Sequence, residues 1–385
     1  MVKAAYIHIP FCEHICHYCD FNKVFLKNQP VDDYIESLLM EMELATQRTL
    51  PDRLETIYIG GGTPTALTAK QLQTLFEGMA QIFPLEQVKE FTVEVNPDSS
   101  ELDKLNVMKN AGVNRLSIGV QTFEQDLLKG IGRTHSRKSV EESIERSRKV
   151  GFKNISIDLM FGLPHQKPDH FEQTLKEAIA LNVDHISAYS LKVEEKTVFY
   201  NQLRKGKLSL PPEDDEVKMY NLLRTKLAKA GFTHYEISNF AKPGFESKHN
   251  LVYWNNEEYY GFGAGAHGYV QGVRNQNYGP VPKYIQAIKK YELPYLHEHN
   301  VTVVERIEEA MFMGLRKRKG ISIEQFKKSY HCNPEELYQH QIDKLIERGL
   351  LEKKQGWIRL TNEGLLLGNE VFEQFIAVLE EGHIV

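Results

Sequence analysis

The first half of the chain alternates short apolar runs with longer amphipathic stretches. Six runs rich in β-branched and aromatic residues predict buried strands at Ala4–Ile9, Thr56–Gly60, Phe91–Val95, Arg115–Val120, Ile155–Met160 and His185–Leu191. The stretches between them have helical spacing; Asp98–Ala111, for example, places Leu102, Leu105 and Met108 on one face and stops at Gly112. Strands that alternate with helices form parallel sheets. Six such units are too few for a closed eight-stranded barrel, so the pattern predicts an α/β fold, either an open partial barrel or a doubly wound sheet.

The second half has a different pattern. Residues 200–217 look like a charged connection, a helix at Val217–Ala230 follows, and residues 231–300 show little periodicity. From Thr302 onward, helical spacing and capping signals return. The elements predicted there are helices at Glu305–Leu315, from Ser322-x-x-Gln325, and from Asn333-Pro334 to Gly349, then a hairpin of Leu350–Lys353 and Trp357–Thr361. Helices with a terminal hairpin predict a small winged-helix-like domain.

Charge and composition narrow the class of protein. The 385 residues include 47 Lys and Arg against 52 Asp and Glu, a net charge of −5, which argues against bulk binding to nucleic acid or anionic membranes. We read the basic run Arg316–Lys319 as a helix end or a solvated face. No run of 18 apolar residues predicts a membrane span, and the first ten residues do not resemble a secretory signal. We therefore expect a cytoplasmic protein that binds no nucleic acid.

Unusual polar residues follow the predicted strands. In parallel α/β folds the carboxyl ends of the strands meet at one edge, where sites form. These residues are, strand by strand, Cys12–Cys19, Gly60–Pro64, Glu94 with Asn96, Gln121, Asp158 and Tyr189. Any one of them is compatible with a turn or a cap, but together they predict a single site at that edge.

Three of the four cysteines lie within eight residues, at Cys12, Cys16 and Cys19, whereas Cys332 is remote. Four cysteines in a chain of this length are not a disulfide framework. Thiolates bind zinc or iron–sulfur clusters, and zinc could take a fourth ligand from His8, His14 or His17. A four-iron cluster held by three cysteines leaves one iron open for a small molecule. We favour the cluster over zinc and over purely structural thiols.

The sequence around these cysteines resembles the cluster loop of the radical S-adenosylmethionine (radical SAM) superfamily. The matching segment is Tyr6-Ile-His-Ile-Pro-Phe-Cys12-x3-Cys16-x-Tyr18-Cys19. The resemblance implies a partial (β/α)6 barrel of the TIM type and a [4Fe–4S] cluster on Cys12, Cys16 and Cys19, with SAM on the fourth iron. It also implies a set of SAM-binding residues. These are Tyr6, Tyr18, Gly61, Gly62, Thr63, Glu94, Gln121, Arg133 and Asp158.

Within this superfamily the chain resembles the oxygen-independent coproporphyrinogen III oxidases and, more closely, the HemW heme chaperones. The oxidases carry a fourth cysteine two residues after the third, where this chain has Phe21. They also have an N-terminal extension, whereas eleven residues precede Cys12 here. Both departures are typical of the chaperones. The resemblance implies three parts: residues 1–200 as the cluster-bearing barrel, 201–300 as its completion with a heme-binding segment, and 301–385 as the winged-helix-like domain.

The segment His249-Asn250-Leu251-Val252-Tyr253-Trp254 matches the His-Asn-x-x-Tyr-Trp signature of the chaperones. Imidazole is a common axial ligand of heme iron, and Tyr and Trp offer flat faces to a macrocycle. We therefore expect His249, Tyr253 and Trp254 to bind heme. A glycine-rich segment, Gly261–His267, lacks the flanking strand and helix of a dinucleotide site, and we expect it to let backbone approach SAM or heme.

The resemblance implies a homodimeric heme chaperone that delivers heme to respiratory enzymes, some of them membrane-bound. Whether SAM is cleaved or only bound is left open by the residues. One alternative is an oxidase in which a 5′-deoxyadenosyl radical abstracts hydrogen from a porphyrinogen propionate. Another is a radical SAM enzyme acting on a different substrate.

Overall fold

The computed structural model describes residues 2–49 and 53–379. Six parallel strands form the centre of the fold, and all six were predicted from the sequence. They are β1 (Ala4–Ile9), β2 (Thr56–Gly61), β3 (Glu90–Val95), β4 (Arg115–Gln121), β5 (Asn154–Phe161) and β6 (His185–Ser190). Each pairs in parallel with the next, so chain order and spatial order coincide.

Helices cover the outside of this sheet and bury one apolar face against it. The helices of the barrel region are Val31–Arg48, Ala69–Ile82, Leu102–Asn110, Gln125–Gly130, Arg137–Val150, Pro168–Ala180, Val198–Arg204, Glu213–Lys229, Lys248–Trp254 and Val281–Ile288. Three short 3-10 turns, Pro64–Ala66, Leu85–Gln87 and Pro97–Ser99, connect strands to helices. The strands alternate apolar residues toward the helices with polar residues toward the interior, and this interior becomes the site.

Residues 201–300 extend both edges of the same sheet. They form β7 (Thr233–Glu236), β8 (Asn239–Ala241), β9 (Tyr259–Phe262), β10 (His267–Val270), β11 (Val273–Asn277) and β12 (Tyr295–Asn300). The full order is β12-β11-β10-β9-β1-β2-β3-β4-β5-β6-β8-β7. Strand β9 runs parallel to β1, and β8 runs antiparallel to β6. The sheet is therefore an open, partial barrel, as expected, whose edges end in antiparallel strands.

The C-terminal region combines helices with a small sheet. Its helices are Val303–Leu315, Ile323–Tyr330, Pro334–Leu337, Gln339–Glu347, Asn362–Leu366 and Gly368–Glu373. Its three antiparallel strands, in the order Ile321–Ser322, Trp357–Leu360, Leu351–Lys354, include the predicted hairpin. This arrangement confirms the winged-helix-like prediction for the described residues. Residues 380–385 of the predicted domain lie outside them, and the three-part division of the chain stays a prediction.

Several predicted helix boundaries were wrong. The helix expected from Asp98 begins at Leu102, which is exposed, because residues 97–99 form a 3-10 turn. The helix expected from Val217 begins at Glu213 instead, directly after Pro212. Four acidic residues occupy its first turn, where they stabilise the positive end of the helix. The segment 200–217, predicted as a charged connection, therefore contains the end of the helix Val198–Arg204, a short loop and the start of the helix Glu213–Lys229.

Residues 231–300, which showed little periodicity, contain six strands and two helices. Their pattern is weak because the strands are short and several lie at sheet edges, where both faces are partly exposed. Strand β12 is exposed over most of its length. Edge strands do not show the strict apolar alternation of a buried sheet.

Candidate functional site

A cavity of about 410 Å³ opens at the carboxyl end of the six parallel strands, as predicted. The cysteine loop covers it on one side, and the segment after β6 borders it on the other. The predicted residues that line it are Cys12, Cys16, Cys19, Tyr18, Gly61, Gly62, Thr63, Glu94, Gln121, Arg133 and Asp158. The fold thus brings together side chains that are up to 146 positions apart in the sequence, from Cys12 to Asp158. Their roles as ligands stay predictions.

The three cysteines line the cavity as free thiols. In residues 2–49 and 53–379, no group of three or more His, Cys, Asp or Glu side chains is arranged to hold a single metal ion. A zinc ion binds its ligands around one point, whereas a cluster spreads its irons over separate thiolates. The three separate thiols at the cavity have the donor chemistry that an iron–sulfur cluster takes.

Two of the three histidines near the loop, His8 and His17, already have hydrogen-bond partners in the protein and are therefore poorly placed to bind zinc. His8 is buried, and its ring nitrogens lie 2.9 Å from the Tyr6 hydroxyl and 2.7 Å from the Asn22 carbonyl oxygen. His17 Nδ1 lies 3.0 Å from the carbonyl oxygen of Gly130. His14 lines the cavity and is exposed.

Burial raises the pKa of the Cys12 thiol and raises that of Cys19 to about 11. Only the thiolate binds metal, so binding a cluster has to overcome this burial cost and release protons. Thr63 Oγ1 donates a weak hydrogen bond to Cys12 Sγ over 3.6 Å, which favours the thiolate. The thiols therefore fit a cluster, because the positive charge of its irons would stabilise the buried thiolates.

The glycines at the end of β2 let the end of β1 approach closely. A Cβ on Gly61 would lie 2.3 Å from the His8 ring, and one on Gly62 would lie 2.7 Å from the Ile9 carbonyl oxygen. The backbone N–H of Gly62 donates to that oxygen over 2.8 Å. Gly61, at φ +108°, also has the left-handed backbone that favours glycine. The close approach that these glycines allow is therefore toward the neighbouring strand β1.

The glycine-rich segment Gly261–His267 does not line the cavity, and its expected approach to SAM or heme stays a prediction. It supports the cysteine loop from behind. Asn22, just after the loop, donates to the carbonyl oxygens of Ala264 over 2.8 Å and Gly279 over 2.9 Å. A Cβ on Gly265 would lie 2.8 Å from the Asn22 side chain. The glycines here make room for this tether.

Glu94 points into the cavity from the end of β3. The Tyr58 hydroxyl donates to its carboxylate over 2.7 Å, and the Gly61 N–H donates over 3.1 Å. Burial raises its pKa to about 7, and neighbouring Asp158 contributes to the rise. A carboxylate in this position can accept hydrogen bonds from a diol, as the predicted ribose contact requires.

Asp158 and Arg133 provide opposite charges in the same cavity. Burial raises the pKa of Asp158, while hydrogen bonds from Ser187 and Ser117 and the charge of Arg115 act against the rise. Burial disfavours the charge of Arg133, but Tyr18 and Cys16 raise its pKa overall. The Arg133 Nε is buried without a hydrogen-bond partner in the described part of the chain. A carboxylate ligand fits this unpaired donor, as predicted for SAM.

Tyr6 differs from the other residues predicted to bind SAM. Its hydroxyl is engaged with His8, and its ring stacks on Tyr58 with the ring centroids 6.2 Å apart. Tyr58 lines the cavity, whereas Tyr6 does not. Tyr6 therefore lies behind the cavity wall and positions Tyr58.

Sequence reasoning missed four cavity residues with polar side chains in the strands: Tyr58, Arg115, Ser117 and Ser187. Arg115 is fully buried, and its Nε has no hydrogen-bond partner among the described residues. A detectable signal was present, because polar residues occupy every second position of strands predicted to be buried, as in Arg115 and Ser117. Such alternation marks a polar barrel interior.

The helix Lys248–Trp254 carries the segment predicted to bind heme, and it packs beneath the barrel. Burial lowers the pKa of His249 to about 3, so its ring is neutral. The Nδ1 atom lies 2.9 Å from the Thr56 hydroxyl, and Nε2 lies 2.8 Å from the Tyr253 hydroxyl. Asn250 lines the cavity, but His249, Tyr253 and Trp254 do not. An iron ligand needs a free nitrogen, so the ligand role predicted for His249 does not fit this geometry.

Trp254 faces the C-terminal domain. The Arg316 guanidinium lies over its ring, 4.4 Å from the centroid, and also near Phe372. Lys317 donates to the Asn255 side chain over 2.6 Å, and Lys319 lies over the ring of Trp357. The basic run Arg316–Lys319 therefore connects the barrel to the C-terminal domain through contacts within the chain.

Comparison with known proteins places these features in a family. The model of the radical SAM superfamily matches residues 6–178, and that of the HemN C-terminal domain matches residues 301–367. The structure of coproporphyrinogen III oxidase (HemN) from Escherichia coli superposes with a TM-score of 0.86 over 98% of this chain and 91% of that chain. It is 23% identical, so this similarity shows the fold alone.

Relatives named heme chaperone HemW match along nearly the whole chain. The protein from Bacillus subtilis is 52% identical over 98% of this chain and 100% of its own length. The protein from Lactococcus lactis is 47% identical over 97% of both chains. Matches of this extent, together with the radical SAM and HemN C-terminal regions, show that the chain belongs to the HemW family of the radical SAM superfamily.

Proposed function

We propose that the protein is a heme chaperone: it binds heme, carries a SAM-ligated [4Fe–4S] cluster, and delivers heme to respiratory hemoproteins. The observation that carries this proposal is the full-length similarity to relatives named heme chaperone HemW, at up to 52% identity. Phe21 at the position of the fourth oxidase cysteine supports the same choice.

Cys12, Cys16 and Cys19 would hold three irons of the cluster. The unpaired Arg133 donor would bind the SAM carboxylate, and Glu94 would accept the ribose hydroxyls. When bound to such a cluster, SAM supplies reductive radical chemistry, and the protein supplies binding and orientation. Gln121, which has a left-handed backbone at φ +65° beside a bulge in β4, turns its side chain into the same cavity.

The heme acceptors would be respiratory enzymes, some of them in membranes, and the chaperone would work in the cytoplasm, as a homodimer. In the described residues no helix has the length and apolarity to span a bilayer. Contact with membrane-bound acceptors would then be transient.

The experiment is heme transfer. Heme-loaded protein is mixed with an apo-oxidase or apo-reductase, and the recovery of that enzyme's activity is followed over time. Recovery faster than with the same concentration of free hemin supports the proposal. Recovery no faster than with heme-loaded serum albumin, used as a passive carrier, argues against specific delivery.

A second candidate is an oxidative decarboxylase of coproporphyrinogen III. The observation that favours it is the fold, which matches the oxidase over nearly the whole of both chains. The test is turnover of coproporphyrinogen III by cluster-loaded protein with SAM and a reductant. We expect none above background, and clear turnover would favour the oxidase reading over the chaperone.

A further inference from the structure

We infer that heme docks at the mouth of the cavity, with the imidazole of His14 as ligand to the iron. The inference rests on the proposed function and assigns its heme site. The mouth is defined here by eight residues that line the outer part of the cavity. They are His14, Asp20, Phe21 and Lys23, in and just after the cysteine loop, and Tyr189, Leu191, Lys192 and Glu194, at the end of β6 and after it.

The two walls of the mouth face each other closely enough to interact. Glu194, through a hydrogen bond, and Asp20, from the opposite wall, both raise the pKa of Lys192. Tyr18 of the cysteine loop and Leu191 of the other wall pack against one small apolar cluster that includes Met160 and Phe199. The mouth is therefore a slot with an apolar floor between two loops.

The walls carry exposed aromatic surface. Phe21 is 60% exposed and Tyr189 is 43% exposed, although both are large side chains that folding usually buries. Exposed aromatic residues beside a cavity mark a binding surface, and flat rings suit a flat macrocycle. Phe21 stands where the related oxidases carry a cysteine, so this chain presents an apolar face at that position.

Two of the four charges at the mouth, those of Lys23 and Lys192, have the sign that suits the propionates of heme, whereas those of Asp20 and Glu194 have the opposite sign. Lys23 lies on one wall and Lys192, which is largely exposed, on the other. Heme has two propionates on one edge of the ring, and ammonium groups bind carboxylates by charge-assisted hydrogen bonds. Lys192 pairs with Glu194 over 2.6 Å in the absence of another partner, so a propionate would compete with that carboxylate.

His14 is the histidine available at this place. Its side chain is exposed, lines the cavity, and makes no hydrogen bond or ion pair with any described residue. By contrast, both ring nitrogens of His8 and of His249 are engaged, and His17 is held by Gly130 and packs on Phe199. Heme iron takes a neutral imidazole with a free nitrogen.

The experiment is hemin titration of the full-length protein, followed by the Soret spectrum. We expect His14→Ala to change the Soret band and weaken binding, and added imidazole to restore the spectrum. His249→Ala, judged on protein with an unchanged circular dichroism spectrum, should keep the parent band, as should His297→Ala, an exposed histidine on edge strand β12. An unchanged spectrum in His14→Ala, or a lost band in folded His249→Ala, would overturn the assignment.

Two phenylalanines test the docking surface separately from the iron ligand. Phe21→Ala should weaken hemin binding about 2- to 12-fold, the usual worth of one aromatic contact. Phe25→Ala is the matched control, because Phe25 is 57% exposed but does not line the cavity. Equal losses in both variants would overturn the proposed surface. If the parent protein binds no hemin at all, the proposed function itself fails, which distinguishes the two outcomes.

Discussion

The cysteine loop and the helix Lys248–Trp254 both carry residues that the sequence marks for ligands, but the fold treats them differently. In the loop, three thiols and the His14 ring face a cavity. In the helix, the His249 ring is held between Thr56 and Tyr253, and its backbone N–H donates to Glu90 over 2.9 Å. One segment leaves its polar groups available, while the other uses them to build the fold.

Hydrogen-bond satisfaction therefore separates ligand-binding residues from structural ones where residue type alone does not. A buried polar group needs a partner, and within this fold the His249 helix has its partners. Glu90 caps the start of that helix with bonds from Ser247, Lys248 and His249. These bonds, with that of His249 to Thr56, join β2, β3 and the helix into one unit.

The largest effect expected from the contrast between the cysteine loop and the helix is loss of the cluster when a loop cysteine is replaced. We expect the protein, reconstituted anaerobically, to bind about four irons per chain, and Cys12→Ala, Cys16→Ala or Cys19→Ala each to abolish this. Iron and acid-labile sulfide are measured on each variant. Cys332→Ala is the control, because Cys332 packs half-buried in the C-terminal domain and should leave both values unchanged. Bound zinc without sulfide would contradict the cluster.

The sequence predicted the fold where each strand is buried on both faces, since β-branched and aromatic residues are then concentrated in short runs. All six central strands, from Ala4–Ile9 to His185–Ser190, were found in this way. It failed at edges such as β12 and at the helix that begins at Glu213, because exposed strands and charged first turns resemble loops.

Within the site, residues at strand ends were predicted and the deeper ones were not. The motifs mark strand ends, where glycine and cysteine are unusual, whereas Arg115 and Ser187 belong to no motif and are marked only by the alternation of polar and apolar residues in their strands. A sequence motif also does not predict the direction in which its side chains point. His249 matched a signature, but its environment depends on Thr56 and Tyr253, and Thr56 is 193 residues away.

A second, smaller effect tests the hypothesis that His249 and its helix stabilise the fold. We expect His249→Ala to lower the free energy of unfolding by about 2–3 kcal/mol, since it leaves the Thr56 hydroxyl unpaired and removes the stacking on Tyr58. Urea denaturation of the full chain measures this, with the exposed His297→Ala expected to change stability by less than about 0.5 kcal/mol. If His249→Ala proved as stable as the parent, the helix would not be the structural element described above.

The smallest effect concerns Glu94 and distinguishes a ligand-facing carboxylate from a structural one. Its pKa, raised by burial to about 7, means that the ionised form is lost as the pH falls through that value. Hydrogen bonds from ribose hydroxyls to a carboxylate are stronger than to the neutral acid, so SAM should bind about 5- to 10-fold more weakly on the acidic side. Anaerobic equilibrium dialysis measures this at each pH, with the cluster absorbance recorded to exclude cluster loss. Glu94→Gln should remove the pH step, whereas Glu43→Gln, on an exposed helix face, should retain it. A step that survives in Glu94→Gln would assign the titration to Asp158 instead, whose pKa is also raised by burial in the same cavity.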